Sequence, residues 1–243
     1  MIQIKHLNVD YFGHKALVDV NLDIPFGYSE GIIGPNGAGK STLMKAMLGI
    51  IPSSGKVTYN GEDIKNKLRK IAYVPQKSDL DLTFPITVED TVLTGTYPNL
   101  PLFKRPGKKE REIVDYCLEQ VVIEDIRKKQ ISNLSGGQLQ RVFIARALAQ
   151  QAEVFFLDEP FVGIDLKSEN IIVDILRQLR SEGKSVLVVH HDLHEVQSYF
   201  DRLLILNKSV IAEGAVKEVF TNANIQAAYG GSLGNVQIKG LGD

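Results

Sequence analysis

The stretch GPNGAGKS, residues 34–41, matches the pattern G-x-x-x-x-G-K-[ST] at every fixed position. The short strand-like run SEGII, residues 29–33, precedes it, and a helix-like run begins at or near Lys40. Glycines at these positions let successive backbone N–H groups turn toward phosphate oxygens, and the following helix adds the positive end of its dipole. The stretch therefore predicts a strand, a phosphate-binding loop and a helix in direct succession. A chance match to the pattern would not need to lie between a strand and a helix.

The residue types of this loop suit a nucleoside triphosphate. Lys40 is long enough to reach the β- and γ-phosphates, and the Ser41 hydroxyl can ligate Mg²⁺. The predicted ATP-binding residues are Gly34, Pro35, Asn36, Gly37, Ala38, Gly39, Lys40, Ser41 and Thr42.

A pair of carboxylates follows another apolar strand, in VFFLDEP, residues 154–160. Asp158 ends the strand, where a carboxylate can hold the Mg²⁺ shell beside Ser41. Glu159 can polarise the attacking water as a general base. The carboxyl ends of strands are where open α/β sheets bind ligands, so we favour this interpretation over a solvated turn.

Two further strand ends carry side chains that can act on phosphate. Gln76 closes IAYVPQ, and its amide either contacts Mg²⁺ or the attacking water, or is a solvated surface group. His190 and His191 end VLVVHHD, where a histidine can touch the γ-phosphate. We do not interpret the histidine pair as a metal site.

A second glycine-rich loop, SNLSGGQLQR at residues 132–141, also opens into a helix-like run. Ser135, Gly136, Gly137 and Gln138 offer a hydroxyl, bare backbone amides and a helix dipole, which is again a phosphate-binding device. One loop already holds one triphosphate, so two loops of the same chain would compete for it. We therefore predict a dimer of two copies facing head to tail, in which each second loop completes the ATP site of the other copy.

The hydrophobic pattern changes twice along the chain. The first part alternates apolar and polar residues in short strands, as in a sheet covered on one face. The middle part is helical in texture, with one apolar stripe along residues 108–126 that includes Cys117, Val121 and Val122. The last part alternates near-continuous apolar strands with amphipathic helices, which predicts a parallel sheet covered on both faces. We expect a single domain made of a core at about 1–77 and 151–229, a helical subdomain at about 78–150, and a loose tail at about 230–243.

Composition limits the class of protein. Of 243 residues, 44% are hydrophobic and 23% charged, which is typical of a globular chain. The formal net charge of −1 provides no global basic field for nucleic acid or an anionic membrane. The single cysteine, Cys117, excludes an internal disulfide, and we interpret it as a buried core residue rather than a reactive thiol. The basic stretch KRPGKK, residues 104–109, is interpreted as a solvated loop rather than a nucleic-acid patch.

No N-terminal export signal is visible, and no apolar run approaches the roughly 20 residues of a membrane span. Any role at a membrane would therefore depend on a partner.

Together, six stretches resemble the nucleotide-binding subunit of an ABC transporter: GPNGAGKST, YVPQ, LSGGQLQR, FFLDEP, FVGID and VVHHD. They occur in the order and at the spacings of that family, over essentially the whole chain. LSGGQ just upstream of LDE is very specific, whereas a phosphate loop alone is not. The resemblance implies an α/β P-loop NTPase (RecA-like) parallel-sheet core, an N-terminal antiparallel β subdomain, and an inserted α-helical subdomain that carries LSGGQ.

The resemblance also implies roles for individual residues. Tyr11, in VDYFGHKAL, would stack on adenine, with Phe12 as the nearby competitor, although both could otherwise lie in the core. Asp165 would lie in the loop that joins the two sites. His191, directly before Asp192, would be the switch histidine, while His190 stands where the family more often has a hydroxyl residue. The implied catalytic residues are Glu159, His191 and Gln76, and the implied Mg²⁺ ligands are Ser41, Gln76 and Asp158.

Residues 83–106 and 131–165 look more specifically like the manganese, zinc and iron branch of bacterial uptake systems. The implied protein is a peripheral ATPase subunit on the cytoplasmic face of the membrane. Two copies would power integral-membrane permease subunits, fed by an extracellular metal-binding protein, with manganese as the first expectation. Four apolar residues would either dock on the permease or lie in the chain's own core: Leu80, Leu82, Phe84 and Ile86.

Three other interpretations have to be weighed. A soluble ATPase of the same superfamily, as in iron–sulfur assembly, would share every motif. A nucleotide-gated binding module would not need Glu159 and His191. A kinase with a phosphate loop would leave LSGGQ unexplained.

Overall fold

The computed structural model describes residues 1–230, so the expected loose tail lies, from residue 231 on, outside the described residues. The strands are β1 (Ile2–Tyr11), β2 (His14–Ile24), β3 (Ser29–Ile33), β4 (Ser54–Tyr59), β5 (Glu62–Asp63), β6 (Ile71–Val74), β7 (Val154–Asp158), β8 (Ser185–Val189), β9 (Arg202–Asn207) and β10 (Ser209–Ala215). The helices are α1 (Lys40–Met47), α2 (Val88–Thr94), α3 (Lys108–Gln120), α4 (Gly136–Ala149), α5 (Leu166–Ser181), α6 (Val196–Tyr199), α7 (Val216–Val219) and α8 (Asn222–Tyr229). Among these residues, no helix is both long enough and apolar enough to span a membrane.

The described residues form two compact units, residues 1–68 with residues 185–230, and residues 69–184. In the first unit, β1, β2, β4 and β5 form an antiparallel sheet in the order β2-β1-β4-β5. Side chains on β1 alternate between buried and more exposed until His6, whose φ of 51° marks a bulge. The extra residue lets Leu7, rather than His6, join Ile2 and Ile4 in the core. The one-sided sheet expected from the sequence is confirmed.

The first unit also contains the strand that leads into the phosphate-binding loop. Strand β3 pairs in parallel with β8 on one side and β9 on the other, and β9 pairs antiparallel with β10. Strands β3 and β8 are buried along their whole length, as expected for central strands covered on both faces. The predicted α/β class with parallel strands is confirmed.

One charged residue interrupts the apolar character of β3. Glu30 is 2% exposed, and its Oε2 lies 3.8 Å from Nε of Arg202 on the neighbouring strand. The same guanidinium makes a closer ion pair with Glu213 on β10, at 2.8 Å from Nη2 to Oε1. Burial raises the pKa of Glu30 from 4.5 to about 7, although Arg202 acts in the opposite direction. The carboxylate is therefore poorly compensated in its charged form.

The second unit combines the parallel pair β6–β7 with the packed helices α2, α3, α4 and α5. Helix α4 is buried on nearly every side, since it packs against each of the other three helices. The apolar stripe of α3 places Cys117 and Val121 in the core, and burial raises the pKa of the Cys117 thiol to about 12. The interpretation of Cys117 as a buried structural residue is confirmed.

The expectation that Val122 continues this stripe is wrong. Helix α3 ends at Gln120, and Val122 takes a left-handed backbone conformation with φ of 54°. Its side chain is consequently exposed rather than buried.

Candidate functional site

The phosphate-binding loop runs from the end of β3 to the start of α1, as its pattern predicts. Gly39 caps α1 with φ of 93°, and a Cβ at this position would lie 2.7 Å from the carbonyl oxygen of Ala16. A side chain is thus excluded by both conformation and space. The first N–H groups of a helix have no acceptor within the helix, so α1 presents its backbone donors to the loop.

Lys40 crosses the loop that it follows. Its Nζ donates hydrogen bonds to the carbonyl oxygens of Gly34, at 2.8 Å, and Pro35, at 3.0 Å. The side chain is buried. The ammonium group is therefore held at the beginning of the loop, where a phosphate bound by the loop would meet it.

The two histidines differ in their surroundings. Ile32 on β3 is in register with Val189 on β8, so Gly34 and His191, each two residues further on, follow their strands at the same edge. His191 is exposed, whereas His190 is buried beside the rings of Tyr199 and Phe200. Burial, assisted by the nearby His191, lowers the pKa of His190 to about 4. His190 is therefore a neutral packed side chain, and His191 is the imidazole that solvent and ligands can reach.

Tyr11 and Phe12 lie at the tight turn between β1 and β2. Phe12 has φ of 52°, is followed by Gly13 with φ of 88°, and is fully exposed. Tyr11 is also exposed. The alternative that these rings lie in the core is wrong, because both occupy the tip of a hairpin. Either ring can offer a face to a base.

In the second unit, Gln76 and Glu159 come together. Val74 on β6 is in register with Leu157 on β7, so the two residues that lie two positions further on are side by side. The Gln76 amide Nε2 donates to Glu159 Oε2 at 2.6 Å. Glu159 adopts a left-handed backbone conformation, with φ of 51°, directly after the buried Asp158. Such strained conformations are concentrated at functional sites, and here the turn presents the carboxylate to the amide.

The negative charge of Asp158 affects Tyr73 on the neighbouring strand β6. Burial raises the pKa of the Tyr73 phenol, and the negative charges of Asp158 and Asp79 act in the same direction. The end of β7 is therefore a region of concentrated negative charge, which a cation would relieve.

The LSGGQ loop forms a complete helix cap. Ser135 Oγ accepts from the backbone N–H of Gln138 at 3.3 Å, and the Gln138 side chain accepts from the Ser135 N–H at 3.1 Å. The Ser135 hydroxyl is thus engaged at the start of α4. A hydroxyl that accepts a hydrogen bond still carries an O–H that can donate to phosphate.

The two glycines of this loop allow a close backbone approach. A Cβ on Gly137 would collide with Ser168 Oγ and with Asp165 Oδ2, and one on Gly136 would lie 2.6 Å from the carbonyl oxygen of Gly163. Asp165 caps α5 and accepts from the backbone N–H of Ser168 at 2.9 Å and from its hydroxyl at 2.8 Å. These hydrogen bonds lower the pKa of Asp165. The LSGGQ loop therefore packs directly on the segment that follows Glu159 in the same chain.

Sequence reasoning missed Arg141. This buried arginine lies one turn after Gly137, and its Nη1 donates to the carbonyl oxygens of Val121, at 3.1 Å, and Val122, at 2.8 Å. It joins the start of α4 to the end of α3, and it satisfies carbonyls that a helix end leaves without partners. The signal was an arginine directly before the apolar run VFIA, residues 142–145.

Comparison with known proteins identifies a family of relatives. The family described as "ABC transporter" matches residues 17–162. The manganese transport system ATP-binding protein MntB of Listeria innocua is 55% identical over 230 residues, covering 94% of this chain and 96% of that protein. The zinc transport system ATP-binding protein TroB of Treponema pallidum is 50% identical over 233 residues, covering 96% of this chain and 88% of that protein.

Solved structures show the same fold. A dimeric, post-hydrolysis structure of the ATP-binding cassette MJ0796 bound to ADP and Pi has a TM-score of 0.76 at 28% identity, and the match covers 89% of this chain and 99% of that one. The expected P-loop NTPase fold is confirmed.

Proposed function

This chain belongs to the ABC transporter family, and from that premise we propose that it is the ATP-hydrolysing subunit of a bacterial importer of divalent metal ions. The observation that carries the cargo assignment is the 55% identity to MntB, a manganese transport protein, over nearly the full length of both chains. Zinc and iron follow, because TroB is named for zinc and the 41% identical YfeB of Yersinia pestis for chelated iron. The metal is the cargo of separate membrane subunits.

ATP binding is assigned to the loop of residues 34–42. Lys40 would exchange its carbonyl partners for the β- and γ-phosphates, which offer a stronger charge-assisted hydrogen bond. The exposed ring of Tyr11 would stack on adenine, with Phe12 as the competing ring.

Hydrolysis is assigned to the charged and polar groups at the strand ends. Glu159 is the general base, since the Gln76 hydrogen bond fixes its carboxylate and leaves it able to accept a proton from water. His191 would contact the γ-phosphate from the exposed end of β8.

The donor types fit Mg²⁺, which would screen the negative charge of the phosphates when bound. The hydroxyl of Ser41, the amide oxygen of Gln76 and the carboxylate of Asp158 are all hard oxygen ligands, the kind that this ion prefers. The concentrated negative charge around Asp158 also favours a cation.

The dimer follows from the second loop. Ser135 to Gln138 would contact the γ-phosphate held by the other copy, which requires an ATP-sandwich dimer. The dimeric MJ0796 cassette with ADP and Pi supports this arrangement by similarity. The remaining partners are the integral-membrane permease and, indirectly, an extracellular metal-binding protein, which places this subunit at the cytoplasmic face of the membrane.

Uptake of radioactive manganese, zinc and iron by cells lacking this protein, complemented with wild type or with Glu159→Gln, tests the proposal. Wild type should restore uptake of manganese most strongly. Glu159→Gln should bind ATP yet reduce phosphate release by at least about a hundredfold, because the base is lost. The exposed Glu119→Gln on α3 is the matched control and should behave as wild type.

Three outcomes would contradict separate parts of the proposal. Normal phosphate release by Glu159→Gln would overturn the base assignment alone. Unchanged accumulation of all three metals in the deleted cells would overturn the cargo assignment. Recovery of the protein only in the soluble fraction, without a permease, would favour a role outside transport.

A further inference from the structure

The loop before α3 carries two large apolar side chains in open solvent. Leu102 is 84% exposed and Phe103 is 95% exposed. They form the tip of a tight turn, in which the N–H of Lys104 donates to the carbonyl oxygen of Pro101 at 3.1 Å. The Leu102 methyl groups and the Phe103 ring therefore project into solvent, and nothing within residues 1–230 covers them.

The backbone of this turn is strained as well as exposed. Phe103 has φ of 65°, a left-handed conformation that suits glycine or asparagine and is unusual for a bulky residue. A glycine at this position would relieve the strain and remove the exposed ring. Observed strain of this kind points to a function for the side chain rather than for the fold.

Positive charge follows directly after the tip. Lys104, Arg105, Lys108 and Lys109 all lie within six residues of Phe103, and no acidic residue occurs between Pro101 and Lys109. The next carboxylate, that of Glu110, is engaged by the Gly107 N–H at 2.7 Å as the cap of α3. An apolar tip is thus joined to a local cluster of cations, even though the whole chain carries a net charge of −1.

We propose that Leu102 and Phe103 insert among the headgroups of an anionic lipid bilayer, while the four basic residues contact lipid phosphates. A bilayer surface has an apolar layer that suits Leu102 and Phe103 and a negatively charged headgroup layer that suits the basic residues. A single binding partner therefore accounts for both features of this segment. The inference rests on the proposed function only in that this function places the subunit next to a membrane. The contact would be weak and reversible, and it would add to the attachment that the permease provides.

The absence of tryptophan from the sequence gives a direct test. Phe103→Trp in the full chain introduces a single tryptophan at the tip, which can be excited selectively over the eight tyrosines. Its emission should shift to the blue with vesicles of phosphatidylcholine and phosphatidylglycerol, and should shift much less with phosphatidylcholine alone. Phe12→Trp is the matched control, because Phe12 is also a fully exposed, left-handed phenylalanine at a turn, but Lys15 is the one lysine near it in the sequence and Asp10 lies on its other side. It should not shift.

Binding measured by vesicle flotation separates the two components. Neutralising Lys104 and Arg105 to glutamine should weaken binding to the anionic vesicles by about twenty-fivefold, since each basic residue near such a surface contributes about fivefold. Leu102→Ser with Phe103→Ser should also weaken binding, but without reducing its dependence on salt.

The proposal is overturned by any of three results. These are an absence of emission shift for Phe103→Trp, an equal shift for Phe12→Trp, or a shift seen only when the permease is present in the vesicles. The last result would assign the tip to a protein surface instead. Phosphate release and metal uptake are measured separately, so failure of lipid binding would leave the proposed function intact.

Discussion

Replacement of Glu30 by glutamine should stabilise this protein above neutral pH. Glu30 is buried in β3, the strand that ends at the phosphate-binding loop, and its carboxylate is 3.8 Å from Arg202. Burial outweighs this partner and raises the pKa to about 7. Glutamine keeps the shape and removes the charge, while Arg202 retains Glu213 at 2.8 Å.

The sign and size of the effect follow from the pKa. The ordinary value of 4.5 applies to the unfolded chain, so between 4.5 and about 7 the folded state binds more protons at Glu30. The contribution of Glu30 to the free energy of unfolding is therefore most favourable below pH 4.5 and falls as pH rises to about 7. The complete rise of the pKa corresponds to roughly 3 kcal/mol, which is an upper limit for the loss.

Urea denaturation of wild type and Glu30→Gln at pH 5 and pH 8 measures this difference. The variant should be more stable than wild type by about 1–3 kcal/mol at pH 8, and this advantage should shrink or reverse at pH 5. Comparing the two proteins at each pH cancels the carboxylates whose pKa is lowered, such as that of Asp165, which act in the opposite direction. Glu119→Gln, on the surface, should show no such pH dependence. A variant clearly less stable than wild type at pH 8 would mean that the ion pair with Arg202 dominates, and would refute the reasoning.

Four further variants have expected outcomes. Ser135→Arg should bind ATP with normal affinity but fail to dimerise on size-exclusion chromatography with ATP, and an ATP-dependent dimer of wild-type strength would contradict the site shared between copies. Arg141→Ala should lower the free energy of unfolding by about 2–4 kcal/mol, because it removes the hydrogen-bond donor to the carbonyl oxygens of Val121 and Val122. An unchanged urea midpoint would instead show that water replaces the guanidinium. His191→Ala should slow phosphate release at least about tenfold without loss of stability. His190→Ala should instead lose roughly 2 kcal/mol of stability by leaving a cavity, and the reverse assignment of the two effects would refute the distinction drawn between these histidines.

The sequence predicted the local structure around these motifs well, because the spacing of residues 34–41 defines a loop between a strand and a helix and the apolar runs define the strand ends. It indicated that Gln76 and Glu159 each follow a strand. The hydrogen bond between them depends on the register of β6 with β7, which no single strand encodes.

Other features depend on packing between elements. Alternation along β8 could not separate His190 from His191, because a strand buried along its whole length leaves no exposed face to count from. The bond from Arg141 to the end of α3 required two helices to meet, and the exposure of Val122 followed from where α3 stops.

The close approach of Gly137 to Asp165 and Ser168 means that each copy of the proposed dimer would couple the two ATP sites. Gly137 belongs to the loop that would contact the ATP of the neighbouring copy. Asp165 lies six residues after Glu159, the proposed general base for the ATP bound by its own copy. Movement at one phosphate would therefore affect the other, since the Gly137 backbone lies too close to the Asp165 and Ser168 side chains for the two segments to shift independently. The two ATP sites of the dimer should therefore act cooperatively. The rate of ATP hydrolysis should rise with ATP concentration along a sigmoid curve rather than a hyperbola.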